Sequence, residues 1–151
     1  ERNQIIAKLI PDNTSVLDIG CGAQTLRKYL GYGVRYQPCD LIAADGVLFC
    51  DFNSGIYPDI QQPFDFVVCS GSMEYARRPE EFIERIAGFG ETLILSYISR
   101  SDKESKWSRL RAGWLNHLTE KELEALFFRK GLRWSILGEW GRQKIYRLNR
   151  D

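Results

Sequence analysis

The chain has 151 residues, 44% of them apolar and 27% charged, with a formal net charge of +1. A chain of this size has material for one domain that buries roughly 70% of its unfolded surface, so it needs no disulfide or metal to fold. The apolar fraction excludes disorder, no run approaches the roughly 18 apolar residues of a membrane span, and nothing repeats at a solenoid period.

Ile5, Ile6, Leu9 and Ile10 recur at helical spacing, and Pro11 ends that helix. Residues 15–19 (SVLDI) form a short apolar run that enters Gly20-Cys21-Gly22, the pattern of a buried strand before a tight turn. A short helix is predicted over 25–30. Strands follow at 34–39, 47–50 and, most clearly, 64–70 (FDFVVCS). Pro79 is placed to open a helix, with Glu80 and Glu81 in its first turn, Phe82, Ile83 and Ile86 on its inner face and Gly88 at its end. A fifth strand spans 91–98, and 99–116 is a long irregular stretch containing Trp107 and Trp114. Thr119 with Glu122 three residues on makes a capping box, Leu118 can staple to Leu123, and Gly131 closes that helix. Residues 132–137 and 144–148 read as two last strands joined through 138–141. Strands alternating with helices predict an α/β three-layer domain over 1–151 with a mostly parallel sheet. The final link is too short for a parallel crossover, so those two strands pair antiparallel.

Charge is uneven. Residues 1–75 hold 5 Lys/Arg and 9 Asp/Glu, net −4, and residues 76–151 hold 16 and 11, net +5. The acidic half suits hydroxyls, amines or a cation, and the basic half an anionic substrate. Cys21, Cys39, Cys50 and Cys69 each fall at or just past a predicted strand end. Strand neighbours about 4.8 Å apart set them in a row rather than the tetrahedron zinc requires, so small buried residues are expected and neither a metal site nor a disulfide framework. No cationic-then-apolar leader is seen, although the chain begins at Glu1 without Met. A cytoplasmic protein is expected.

In open α/β sheets ligands bind beyond the carboxyl ends of the strands, where strand order reverses. The glycines after the first strand mark that place. Asp40 lies 20 residues beyond Gly20, where a carboxylate grips a ribose diol. A dinucleotide and S-adenosylmethionine both fit this far. Asp18, two residues before Gly20, disfavours a pyrophosphate and favours an ammonium and a sulfonium. Gly20-x-Gly22-x-x is followed by Thr25 instead of a third glycine.

VLDIGCG (16–22) resembles the first motif of class I S-adenosylmethionine-dependent methyltransferases. CDFNS (50–54) resembles the acidic motif after their third strand, and FDFVVCSGSMEYARRPEEFIERI (64–86) their fourth strand and following helix. NHLTEKELEALFFRKG (116–131) is similar to the small-molecule and MetW-like branches. The resemblance covers nearly the whole chain. It implies a Rossmann-like fold with a seven-stranded sheet of order 3-2-1-4-5-7-6, strand seven antiparallel. It also implies that Asp18, Gly20, Cys21 and Gly22 surround the methionine moiety, that Asp40 and Leu41 meet the ribose, and that Asp51 and Phe52 meet the adenine. Ser70, Gly71 and Met73 would then line the wall near the methyl group. Where the family commonly carries a third glycine in G-x-G-x-G, this chain has Gln24.

Methyl transfer from a sulfonium needs position and desolvation more than a dedicated base. An oxygen nucleophile of high pKa would still benefit from one, and His117, the only histidine, is the first candidate, followed by Glu74 and Tyr75. The 99–116 stretch is the expected substrate lid, with Arg100, Lys103, Lys106, Arg109 and Arg111 against Asp102 and Glu104. The net charge of +1 and the lack of an RNA-binding module argue against nucleic acid. The expected function is S-adenosylmethionine-dependent methylation of an O or N atom on a small-molecule or carbohydrate-type acceptor, yielding S-adenosylhomocysteine. The alternatives are a non-catalytic module binding that cofactor for regulation or for a partner, and a dinucleotide oxidoreductase.

Overall fold

Residues 15–19 are buried at every position and form strand β1 (Ser15–Ile19). In the computed structural model, which describes residues 1–101 and 103–150, β1 sits near the middle of the sheet. Asp102 of the lid stretch and Asp151 lie outside the described residues. β1 pairs parallel with β2 (Arg35–Asp40) on one side and with β4 (Phe64–Ser70) on the other. β3 (Leu48–Phe49) extends the sheet beyond β2, and β5 (Gly90–Tyr97) extends it beyond β4. β6 (Leu132–Trp140) and β7 (Gln143–Arg150) complete it, with β7 antiparallel to both β5 and β6. The order is β3-β2-β1-β4-β5-β7-β6. This is the Rossmann-like topology expected from the sequence, and strand order reverses between β1 and β4.

The strands bury both faces. On one, Leu17, Val67, Leu95, Tyr146 and Leu148 meet Phe82, Ile83 and Ile86 of α2 (Pro79–Ile86) and Leu123, Leu126 and Phe127 of α4 (Glu120–Arg129). On the other, Val16, Val68, Ile94 and Ile145 meet Ile6 of α1 (Arg2–Ala7), together with Ile10 and Leu26. The Thr119–Glu122 capping box forms in both directions.

Three elements differ from the sequence reading. The stretch 25–30 becomes a 3-10 helix, Leu26–Tyr29. The hairpin strands run on until only Gly141 and Arg142 turn between them, with a bulge between Ile136 and Gly138. The 99–116 stretch holds a helix, α3 (Lys106–Arg111), capped by Ser105, whose hydroxyl accepts from Ser108 N at 3.2 Å. Its Arg109 is fully buried, donates from Nη2 to Ile98 O at 2.8 Å and stacks on Trp114 at 4.6 Å. The four cysteines are free and buried, and among the described residues no three His, Cys, Asp or Glu cluster as metal ligands. No helix among the described residues is long and apolar enough to cross a membrane.

Candidate cofactor cleft

Parallel strands aim their carboxyl ends at one edge, and the β1/β4 switch point leaves a gap there. A cleft of about 410 Å³ opens at that edge. Ile19 and Gly20 line it from β1, Asp40 and Leu41 from β2, and Cys50, Asp51, Phe52 and Asn53 from the end of β3. Ser70, Gly71 and Ser72 follow from β4, and Tyr75 from the 3-10 turn Met73–Tyr75. The structure therefore brings Gly20, Asp40, Leu41, Asp51, Phe52, Ser70, Gly71 and Tyr75 to one cavity.

The glycine loop is built for close approach. Gly20 has φ +71°, and a β-carbon there would overlap Ser72 Oγ. Its N–H and that of Cys21 donate to Cys39 O at 2.8 and 3.1 Å, folding the turn across β2. Gly22 N donates to Asp40 Oδ2 at 2.8 Å, while Asp40 Oδ1 accepts from Ile42 N at 3.2 Å. Asp40 thus braces the loop while facing the cleft. A carboxylate has about four acceptor sites, so capacity remains for a ligand hydroxyl.

Asp51 accepts from Ser54 Oγ at 2.7 Å and from Ser54 N at 3.2 Å, and these bonds hold its carboxyl below the usual range. Phe52 packs on Phe82 with ring centroids 4.7 Å apart, which fixes the wall beside it. Asn53 Nδ2 donates to Tyr75 O, and Asn53 Oδ1 accepts from Arg77 N, both at 2.9 Å. Asn53 ties the two halves of the cleft rim together, and sequence reasoning missed it; the motif CDFNS contained it without marking its direction.

Asp18, Cys21, Gly22 and Met73 lie outside the lining. Asp18 is buried on the α1 face behind Gly20 and accepts from Tyr36 OH at 2.6 Å. Burial pushes its carboxyl up to about 6, against the opposing bond from Tyr36. Met73 is core.

Glu74 and His117 also lie outside the lining. Glu74 is buried, and Oε1 accepts from Ile98 N at 2.9 Å while Oε2 has no partner. Burial pushes its carboxyl up. His117 stands before α4, its Nδ1 buried without a partner and its O accepting from Arg100 Nε at 3.2 Å. Burial and then the charges of Arg109, Lys106 and Arg100 push its pKa down. Asn116 does structural work beside it, donating to Met73 O at 2.6 Å and Ala76 O at 3.0 Å.

A family model for a methyltransferase domain matches residues 2–134. The chain belongs to this family and is a class I S-adenosylmethionine-dependent methyltransferase, an enzyme class whose cofactor is S-adenosylmethionine. No curated protein matches it. Among solved structures it is similar to the complex of the Haloferax volcanii Trm112 methyltransferase activator and a methyltransferase, at TM-score 0.72 and 14% identity, over 97% of this chain and 86% of that one. It is similar to the N-terminal domain of EvdMO1, solved in the presence of S-adenosylhomocysteine and D-fucose, at TM-score 0.68 and 15% identity, over 99% of this chain and 83% of that one. It is also similar to human N-acetylserotonin methyltransferase in complex with S-adenosylmethionine, at TM-score 0.67 and 13% identity, over 99% of this chain and 51% of that one. The chain thus spans about half the length of the human protein.

Proposed function

We propose that residues 1–151 form a single methyltransferase domain that transfers a methyl group to an O or N atom of a small-molecule or carbohydrate-type acceptor. The observation that carries this reading is the cleft at the strand ends: a turn that admits no side chain at Gly20, with two carboxylates, Asp40 and Asp51, on its far wall. The donor set fits a nucleoside, with acceptors for hydroxyl and amino groups and the apolar Ile19, Leu41 and Phe52 for the ring faces. The D-fucose present with the EvdMO1 domain supports the carbohydrate-type acceptor.

The bound cofactor supplies an electrophilic methyl on a sulfonium. The chain's part is to hold it and to exclude water. Gly20 and Ser72 close the floor, Asp40 holds the ribose, Asp51 and Phe52 the adenine, and Ser70 and Gly71 the wall toward the acceptor. Tyr75 is the acid-base candidate that lines the cleft, while Glu74 and His117 lie outside the lining. Burial and the charges of Arg109, Lys106 and Arg100 favour the neutral imidazole of His117, the form that accepts a proton.

Calorimetric titration with S-adenosylhomocysteine, with NADH as control, tests the reading. Micromolar binding of the first alone is expected, and binding of NADH alone would replace the reading with a dinucleotide enzyme. Asp40→Ala is expected to weaken that binding by about 1.5–3 kcal/mol, the range for hydrogen bonds to a charged group. Unchanged affinity in the folded variant would remove the ribose assignment.

A second reading is a cofactor-binding subunit that works with a protein partner. The activator complex among the similar structures supports it, as do Leu41, Ile42 and Phe49, exposed beside the cleft at 57%, 75% and 45%. Cofactor binding without turnover until a partner is added would favour it.

A further inference from the structure

The segment between β5 and α4 runs over the rim of the cleft. Leu115 N and Asn116 N donate to Glu74 O at 2.8 and 3.3 Å, and a β-carbon on Gly113 would stand 3.8 Å from Cε1 of Tyr75. Tyr75 itself lines the cleft. The helix of this segment has a fixed inner side, because Arg109 is buried, stacked on Trp114 and bonded to Ile98 O. Trp107, two residues earlier, stands about 160° round the helix from Arg109. It is 76% exposed, and Leu110, three residues on and therefore beside it, is exposed as well. Leu115 and Tyr75 continue the exposed apolar surface toward the cleft. A tryptophan with three quarters of its area in solvent projects from the protein instead of walling a pocket in it. It is shaped to enter a partner, not to receive a small ligand.

The charges around it have one sign. Lys103, Lys106 and Arg111 are exposed. Glu104 is turned inward: its side chain is only 14% exposed, accepts from Arg142 Nη2 at 2.8 Å and faces Arg109 Nη1 at 3.5 Å. Within 103–115 every exposed charge is therefore positive. The partner that fits is anionic at its surface and apolar just beneath it.

We propose that α3 and the residues flanking it dock on an anionic lipid surface. Trp107 and Leu110 enter the boundary between headgroups and acyl chains, where an indole buries its ring and keeps its N–H wet. Lys103, Lys106 and Arg111 meet the lipid phosphates, their stems lying along the apolar layer. Two apolar side chains alone bind a membrane weakly, and the three cations supply the second signal that such anchoring needs. The proposal goes beyond the methyl-transfer reading and does not depend on it. It sets the Tyr75 end of the cleft beside the lipid.

The test is flotation of the full chain with vesicles of phosphatidylcholine alone and of an equimolar mixture of phosphatidylcholine and phosphatidylglycerol. Wild-type protein is expected to bind the mixed vesicles at least about tenfold more strongly, and less so as salt is raised. Trp107→Ser is expected to lower that binding roughly tenfold, the scale of one large apolar side chain. Lys106→Glu with Arg111→Glu is expected to remove the preference for anionic vesicles. Phe128→Ser is the control: Phe128 is 77% exposed near the far end of α4, and no loss is expected there. All four positions are exposed, and circular dichroism verifies that each variant folds; Leu110→Ser replaces Trp107→Ser if that variant does not. Equal binding to neutral and anionic vesicles overturns the proposal, and so does a Trp107→Ser protein that binds like wild type or a Phe128→Ser protein that loses as much. Failure of wild-type protein to bind either vesicle overturns it too and makes an acidic protein the occupant of this surface.

Discussion

At the scale of single residues, Asp18 combines two needs that conflict. The motif puts it where a cationic ligand end would favour an anion, yet it is buried behind the cleft lining, and burial pushes its carboxyl up to about 6. A carboxyl raised in the folded state keeps its proton where the unfolded chain, near 4, has released it. Its contribution to stability is therefore fully present at low pH and is lost as pH rises through about 6. Asp18→Asn removes the charge and keeps an acceptor for Tyr36 OH. The variant is expected to match wild type near pH 4 and to exceed it by about 2–3 kcal/mol at pH 8. Urea unfolding at both values checks this, and an unchanged pH profile would locate the charge cost elsewhere. Gln24 is a second conflict. It holds φ +53° in the glycine loop, a left-handed conformation that costs a non-glycine residue roughly 1–2 kcal/mol. Gln24→Gly removes that strain and adds about 0.5–1 kcal/mol of backbone entropy, so stability within about 1 kcal/mol of wild type is expected. A larger loss would show that the Gln24 side chain makes a stabilising contact. The sequence exposed Asp18, Gln24 and Asp40 because the motif gives them positions. Tyr36 and Asn53 stayed hidden because their partners, Asp18 and Tyr75, are distant in sequence and meet only across strands.

At the scale of elements, the signals that could be read were local. The capping box of α4 spans four residues and formed as written, and the FDFVVCS run became β4 without change. The helix α3 carried no such signal. It is one and a half turns long, and its buried position holds Arg109 where an apolar residue would have revealed the inner face. What docks it is a stack on Trp114 and a bond to Ile98 O, neither visible as periodicity. Arg109→Met is accordingly expected to loosen the segment around α3 while leaving the sheet intact. Amides of 104–116 should exchange roughly tenfold faster or more, for the loss of a charged hydrogen bond, with β1 and β4 unchanged. Protection unchanged in that segment would mean that the backbone bonds from Leu115 and Asn116 to Glu74 O hold it alone.

At the scale of the molecule, topology was legible because connection lengths constrain it: long crossovers force parallel neighbours, and the short link after β6 forces a hairpin. The strand order itself came from the resemblance, since nothing in a strand's own residues states which neighbour it takes. The same geometry explains why the cleft depends on a distant part of the chain. Its lining residues all lie between 19 and 75, in the half that carries net negative charge. The matched family region ends at 134, before β7 begins. Yet β7 sits inside the sheet between β5 and β6, and it buries Ile145, Tyr146 and Leu148 almost completely. Losing three such side chains at about 2–5 kcal/mol each removes a total comparable to the whole stability of an ordinary domain, about 5–15 kcal/mol. It also leaves β5 as an unpaired, mostly buried edge prone to association. A chain ending at residue 134 is therefore expected to show no cooperative unfolding transition and no binding of S-adenosylhomocysteine, although every residue of the cleft is present. Circular dichroism on heating and calorimetry check the two parts. Binding by the shortened chain would mean that β1–β4 hold the cleft by themselves, and the basic half would then be free to serve the acceptor alone.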